Sequence, residues 1–362
     1  MRFPEFSGEW ESTPISTIAD IIGGGTPDTS VDEYWGGNIQ WFTPSEIGKG
    51  KYAYLSDRTI TEAGLKNSSA KLLPQGTVLL STRATIGECS IATAECTTNQ
   101  GFQSLVAKKN NVSSEFLYYI VAKIKREMLR RSCGSTFLEI SANELKKIHA
   151  NIPSKAEQEK LVSLLSLIDQ RIETQKKIIE KYESLIRGLC EKLTRQGDTN
   201  KSINECLECH SSTLQESEVL ETGRYPVYGA IGVCGYTDTP DVSGDGILII
   251  KDGASVGVTY FADGCYSSIG TLNRLTAKQG INLRYVYYCL KVMNFAPYKT
   301  GLAIPHIYFK DYGKHKIWCP SFEQQSRIAD ALINIDNKIH IEKSLLEQLN
   351  SQKRYMLNQL FI

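Results

Sequence analysis

No stretch of the 362-residue chain approaches the ~20 consecutive apolar residues of a membrane span, and the opening "MRFPEFSGEWESTP" lacks the apolar core of a signal peptide. The expectation is a cytoplasmic chain without membrane contact. There is no Gly-x4-Gly-Lys-Ser/Thr, so the P-loop nucleotide hydrolases are excluded; "IGGGTP" is glycine-rich, but no Lys-Ser/Thr follows and it reads as a flexible loop. The histidines, 5 in all, form no i, i+4 pair, so nothing points to a metal hydrolase. Ten cysteines are scattered without an export signal, which suits reduced thiols better than a disulfide framework. "CLECH", Cys206–His210, has the spacing of a haem attachment site, but that chemistry needs an exported chain. As a zinc pair it lacks a second half, because Cys234 and Cys265 carry no matching spacing. Neither a metal nor a cofactor is expected. Net charge is only +1 and no segment is basic overall, so nucleic-acid binding gains no support from bulk charge. Local basic clusters remain at Lys123, Lys125, Arg126, Arg130 and Arg131, and at Lys310, Lys314, His315 and Lys316.

What the chain does have is an internal repeat. Ile152–Leu193 lies on Cys319–Leu360 without gaps, 167 positions apart, matching Pro153 to Pro320, Ser154 to Ser321, Ile168 to Ile335, Asp169 to Asp336 and Ile172 to Ile339. Leu165, Ile168, Ile172, Gln175, Ile179, Tyr182 and Ile186 recur at alternating steps of three and four, and so do Leu332, Ile335, Ile339, Glu342, Leu346 and Leu349. That is the seam of a coiled coil. Each copy opens with Ser-x-x-Glu/Gln, a capping box, so two long helices are expected from Ser154 and Ser321, the first stopping at Gly197. Gln175 and Glu342 place polar groups in the seam, where such residues fix register at some cost in stability.

The intervening stretches repeat more faintly. "GTVLLSTRATIG" (Gly76–Gly87) has the form of "GILIIKDGASVG" (Gly246–Gly257): a glycine, an apolar strand, a polar turn and Ala-x-apolar-Gly. Tyr118-Tyr119 matches Tyr287-Tyr288, and Gly134 matches Gly301. Strands at Val78–Ser81 and Ile247–Ile250 with helices near 115–131 and 282–294 make the class α+β. The domains read as 1–151, helix 152–197, 198–319 and helix 320–362. A helix of ~42 residues is about 63 Å long at about 1.5 Å per residue, whereas a domain of ~120 residues is about 35 Å wide. The second domain joins the end of one helix to the start of the other, so the helices should run antiparallel, with a pseudo-twofold relation between the two halves.

Several stretches carry a specific resemblance: "RFPEFSGEWES", "GGGTPDTSVDEYWGGNIQWFTPSEI", "LLSTRATIGECSI" followed by "TTNQGFQSL", "YPVYGAIGVCGYT", "ILIIKDGASVG" and the closing "LNQLF". The chain resembles the DNA-specificity subunit of type I restriction-modification systems over essentially its whole length. The resemblance implies two target-recognition domains, each reading one half of a bipartite asymmetric site in double-stranded DNA. It implies that the helices set the unread gap and dock two methyltransferase subunits, which motor-nuclease subunits then join. It also implies no chemistry of the chain's own, and no Asn-Pro-Pro-Tyr-type methyltransferase motif is present.

Base reading needs directional hydrogen bonds from polar side chains on loops. The candidates in the first domain are Thr82, Arg83, Asn99 and Gln100, with Arg130 and Arg131 assigned to phosphates. In the second they are Tyr228, Lys251, Asp252, Lys299, His306 and Lys310.

Overall fold

The computed structural model describes residues 2–134, 138–301 and 303–361. They are mixed α and β, and the four segments read from the sequence form two compact units, Met1–Lys176 with Ser344–Ile362, and Lys177–Lys343. Each unit holds one globular domain and a part of each long helix. The helices span Lys155–Thr194 and Phe322–Leu360, so the first stops three residues before the expected Gly197, and Ile362 lies outside the described residues.

The strands of the first unit are β1 (Glu11–Pro14), β2 (Ala19–Gly23), β3 (Trp35–Phe42), β4 (Tyr52–Ala53), β5 (Arg58–Ile60), β6 (Val78–Leu80), β7 (Cys89–Ala92), β8 (Cys96–Thr98), β9 (Gln103–Ala107) and β10 (His149–Ile152). They assemble as β2-β9-β6-β7-β4, β5-β3-β8 and β1-β10. The second unit has β11 (Lys201–Ser202), β12 (Leu207–Ser211), β13 (Tyr225–Gly229), β14 (Gly232–Thr237), β15 (Val242–Ser243), β16 (Gly246–Ile250), β17 (Thr259–Ala262), β18 (Cys265–Ser268), β19 (Leu272–Ala277) and β20 (Lys316–Ile317). Their orders are β12-β19-β16-β17, β14-β13-β18-β15 and β11-β20. The core of each plan recurs. β16 lies between β19 and β17 as β6 lies between β9 and β7, and β13 runs parallel to β18 as β3 runs parallel to β8. Every residue of β6 and of β16 is buried, which is why both segments are unbroken apolar runs rather than alternating ones.

In each unit one domain helix packs on the sheet that holds the buried central strand, β6 or β16. Ser113 accepts the amide of Phe116 to start Ser114–Arg131, and Asn282 accepts that of Tyr285 to start Leu283–Lys291. The first helix buries Phe116, Leu117, Ile120, Val121, Ile124 and Met128 in a core shared with Val78, Leu80 and Leu105.

Within each unit the two long helices run antiparallel. In the first, Leu161 and Leu165 share a core with Leu357 and Leu360, while Ile168 and Ile172 meet Leu349. In the second, Ile186 and Cys190 share a core with Leu332 and Ile339, and Lys343 pairs with Glu183 at 2.6 Å. Rising numbers on one helix meet falling numbers on the other in both places. Of the seam positions, Leu165, Ile168, Ile172, Gln175, Ile179, Ile186, Leu332, Ile339, Glu342 and Leu349 are buried, and Tyr182, Ile335 and Leu346 are half-buried. Buried Glu342 is held by Lys338, one turn earlier, at 2.6 Å. The capping boxes are half made. Ser154 and Ser321 each accept the third amide at 3.4 Å, but Glu157 turns its carboxylate to Arg2 (2.7 and 2.8 Å) and the indole of Trp10 (3.3 Å).

The domain helix is fastened to the long helix by the same bond twice. The Tyr119 hydroxyl donates to Asp169 at 2.6 Å, and the Tyr288 hydroxyl donates to Asp336 at 2.8 Å. Burial pushes both phenols well above the ordinary tyrosine range, so they remain protonated donors to an acceptor-only carboxylate. The balancing cation differs: Lys353 of the second long helix meets Asp169 at 2.6 Å, whereas Lys291 of the domain helix meets Asp336 at 3.3 Å. Tyr119→Phe and Tyr288→Phe should each lower unfolding free energy by about 1–3 kcal/mol, the value of a hydrogen bond to a charged partner, as read by urea titration.

Candidate nucleic-acid interface

In each domain a polar turn leaves the central buried strand and is clamped on both sides by backbone. After β6, Thr82 N–H donates to the Gly101 carbonyl (2.9 Å), Ile140 N–H donates to the Thr82 carbonyl (3.0 Å), and Ala84 N–H to that of Leu138 (3.2 Å). After β16, Lys251 N–H donates to the Thr271 carbonyl (3.0 Å), Ile307 N–H to that of Lys251 (2.9 Å), and Gly253 N–H to that of Pro305 (3.0 Å). These bonds equate Thr82 with Lys251, Arg83 with Asp252 and Ala84 with Gly253. The gap-free alignment of the two stretches is therefore one residue out inside the turn. The second turn is one residue longer, since Gly87 N–H closes on Ser81 but Gly257 N–H closes on Ile250.

The clamping strap is also repeated. Glu139 bridges to both Arg83 and Cys133, and His306 bridges to both Asp252 and Thr300. At the shared position the carboxylate changes sides: in the first domain Arg83 on the turn faces Glu139 on the strap at 4.0 Å. In the second, Asp252 on the turn meets His306 on the strap at 2.7 Å. One backbone frame thus carries its carboxylate on the strap in one copy and on the turn in the other.

The structure gathers most of the candidates read from the sequence and corrects the role of one. Thr82 is fully buried and its hydroxyl is turned to the Gly101 carbonyl at 3.3 Å, so it positions the turn rather than reading a base. Asn99 spends its side-chain oxygen on the Gly101 amide at 2.9 Å, a local turn. Gln100 is exposed beside it and accepts from Thr26, and Arg83 is exposed on the turn. Arg130 and Arg131 lie at the end of the domain helix with both guanidiniums on Glu127 (2.7 and 2.6 Å), Arg131 also reaching Glu144 at 3.2 Å, and Arg130 stays exposed.

In the second domain Lys251 is half-buried, and Asp252 and His306 form the pair described. Tyr228 is half-buried, packed edge-on against Tyr266, and joined to this group through the Ile269–Thr271 segment, whose Ile269 N–H donates to the Tyr228 carbonyl. Lys299 is exposed next to Thr300, and Lys310 is exposed with its ammonium over the Tyr308 ring at 5.3 Å.

Three features escaped the sequence reading. Gly24 and Gly25 are not a flexible loop: Gly25 N–H donates to the Thr98 carbonyl at 2.8 Å, and a methyl on either glycine would collide with backbone of Asn99 or Ala70. Arg58 stacks on Trp35 at 3.5 Å, a planar cation held ready on an aromatic face. Ala84 holds a left-handed backbone (φ 63°), where its counterpart Gly253 has φ 101°. The signal for it was that glycine, hidden by the one-residue shift. Among the described residues no group of three or more His, Cys, Asp or Glu is placed to hold a metal, and no helix is long and apolar enough to cross a membrane. In "CLECH", Cys206 is buried and His210 bonds to Thr276 at 2.9 Å.

A family model described as the type I restriction modification DNA specificity domain matches residues 7–184 and again 199–351. The chain belongs to this DNA-specificity family. The double match follows the duplication read from the hydrogen bonds. The type I restriction enzyme MjaIX specificity subunit of Methanocaldococcus jannaschii is 42% identical over 181 residues, 49% of this chain and 42% of that one. The chain's match thus spans less than half the length of that relative. The EcoprrI specificity subunit of Escherichia coli is 26% identical over 361 residues, 91% of this chain and 88% of its own. A crystal structure of the type I restriction-modification S subunit from M. genitalium, 20% identical, covers 100% of this chain and 99% of its own at a TM-score of 0.63, and so shares the specificity-family fold.

The strain at Ala84 gives a stability test. Ala84→Gly should leave stability unchanged or raise it by up to about 1 kcal/mol, relief of the left-handed backbone being partly offset by unfolded-state entropy. Gly253→Ala, with open space around it, should cost about 1–3 kcal/mol through backbone strain alone, measured by thermal unfolding.

Proposed function

We propose that this protein is the non-catalytic DNA-recognition subunit of a type I restriction-modification complex. It acts in the cytoplasm on double-stranded DNA and assembles with two methyltransferase subunits, which motor-nuclease subunits join. The single observation that carries this reading is the twice-built turn: one clamped frame, two different sets of side chains, as a reader of two unlike half-sites requires. Arg83 and Gln100 serve the first half-site; Lys251, Asp252, His306 and Lys299 serve the second, with Lys310 on the backbone. The long helices set the unread gap. Methylome sequencing of cells carrying the protein with its methyltransferase tests the reading, the expected result being adenine methylation at one gapped, asymmetric motif. Inserting two heptads into each helix where it passes between units, after Lys176 and after Lys343, should widen the gap by about 21 Å, or about six base pairs, with both half-sites unchanged.

The helices also carry a docking groove of about 630 Å³ in the first unit, lined by Leu167, Arg171, Gln175, Leu345 and Leu349. Leu167 and Leu345 are exposed there. One repeat away, the counterpart of Leu167 is exposed Asn334 and that of Leu345 is half-buried Ile178. A methyltransferase subunit therefore meets two exposed leucines in one copy, and in the other an amide beside a largely covered isoleucine. Leu167→Glu should yield complexes with one methyltransferase subunit in place of two, as read by native mass spectrometry, with the fold unchanged.

A further inference from the structure

Among the described residues the three most exposed large apolar side chains are Ile231 (87%), Leu55 (79%) and Tyr54 (68%). All three lie on the same connection of the duplicated domain. β13 pairs parallel with β18 and antiparallel with β14, as β3 pairs parallel with β8 and antiparallel with β5. The β13–β14 link is a two-residue turn, Ala230-Ile231, closed by the Gly229–Gly232 pair; the β3–β5 link runs through 43–57 and carries Tyr54 and Leu55.

In the second domain this turn is a firm one. Tyr260 donates its hydroxyl to the Ala230 carbonyl at 3.1 Å, and Gly232 takes the left-handed conformation (φ 97°) that the tight reversal needs. Ala230 and Ile231 both keep negative φ, so the turn accepts most residues and does not itself call for an isoleucine. Ile231 gains nothing from burial either, so the fold does not account for it. Its side chain is stiff at χ1 and loses little freedom on contact. The strand below it leads directly to Tyr228 and the Ile269–Thr271 segment that clamps Lys251 and Asp252. A two-stranded ribbon fits the major groove of duplex DNA, where the thymine C5-methyl is the one apolar mark on a base edge.

We propose that the β13–β14 hairpin enters the major groove and that Ile231 reads a thymine methyl group in the second half-site. This rests on the DNA-recognition reading above. It assigns apolar readout to a residue outside the polar turn.

The test takes the complex co-expressed with its methyltransferase subunits and the duplex defined by methylome sequencing. Each thymine of the second half-site is replaced in turn by deoxyuridine, which removes only the methyl. One position should lose affinity about four- to tenfold with the natural protein, the scale of one buried methyl. With Ile231→Ala, thymine and deoxyuridine duplexes should bind alike at that position, while Ile231→Val keeps most of the difference. Full discrimination retained in Ile231→Ala, no sensitive position with the natural protein, or a second half-site without thymine would each overturn the proposal. So would an equal loss on thymine and deoxyuridine duplexes together with a lost 2-aminopurine unstacking signal, which assigns Ile231 to insertion between bases. If no gapped motif is methylated in the first place, the recognition reading fails and this one falls with it.

Discussion

The structure depends on a hydroxyl and a carboxylate. Tyr119 on Asp169, and Tyr288 on Asp336, fix the rotation and the height at which a domain helix sits on a long helix. Apolar packing alone would tolerate sliding, because one leucine surface resembles the next; a charged hydrogen bond in a partly buried seat does not. The bond is therefore what turns a pair of domains and a pair of helices into two units of defined internal geometry. Its surroundings have drifted while it has stayed: the cation that balances the aspartate comes from the long helix in one unit and from the domain helix in the other. Electrostatics requires only that a positive group reach the carboxylate, so the donor was free to change. The geometry of the hydroxyl was not.

The same division separates frame from content in the polar turns. Backbone bonds from 101 and 138–140, or from 271 and 305–307, hold each turn chiefly through its main chain, the Thr82 hydroxyl adding to them in the first. The side chains can then differ, with the carboxylate on the strap at Glu139 in one copy and on the turn at Asp252 in the other, without loosening the turn. A recognition surface built in this way can change its target without refolding. The left-handed residue follows this logic from the other side: it belongs to the frame, and so it recurs as Ala84 and Gly253 although alanine fits the conformation poorly.

Much of this was legible because it is written in periods and matched letters. The a/d seam, the caps at Ser154 and Ser321, the Tyr-Tyr pair and the two aspartates all stood out, since a helix exposes its partners at fixed spacing. The direction of the helices followed from chain lengths alone. What was not legible depends on approach in three dimensions. Thr82 looks like any polar loop residue until the Gly101 carbonyl covers it, and "IGGGTP" looks flexible until the strand at Thr98 closes on it. The one-residue offset in the turn is invisible to a gap-free alignment because the glycines at its ends still match. Ile231 does not stand out in the sequence, because an apolar residue in a turn has no periodicity to betray it.

The neutral net charge acquires a meaning from the pairing of its parts. Arg130 and Arg131 are tied to Glu127 and Glu144, and Lys147 to Glu144. The basic run near the end of the first domain helix thus lends much of its charge to the fold. Arg83, Arg130, Lys299 and Lys310 are the exposed cations among the candidate readers and backbone contacts. Few phosphate contacts mean few counterions released, hence weak non-specific affinity and a shallow dependence on salt for the subunit by itself. On the proposed reading this is an advantage, because a reader that clung to any duplex would hold an incomplete complex on DNA. Affinity then comes from the subunits that the helices recruit, and this chain is left to supply the difference between one sequence and another.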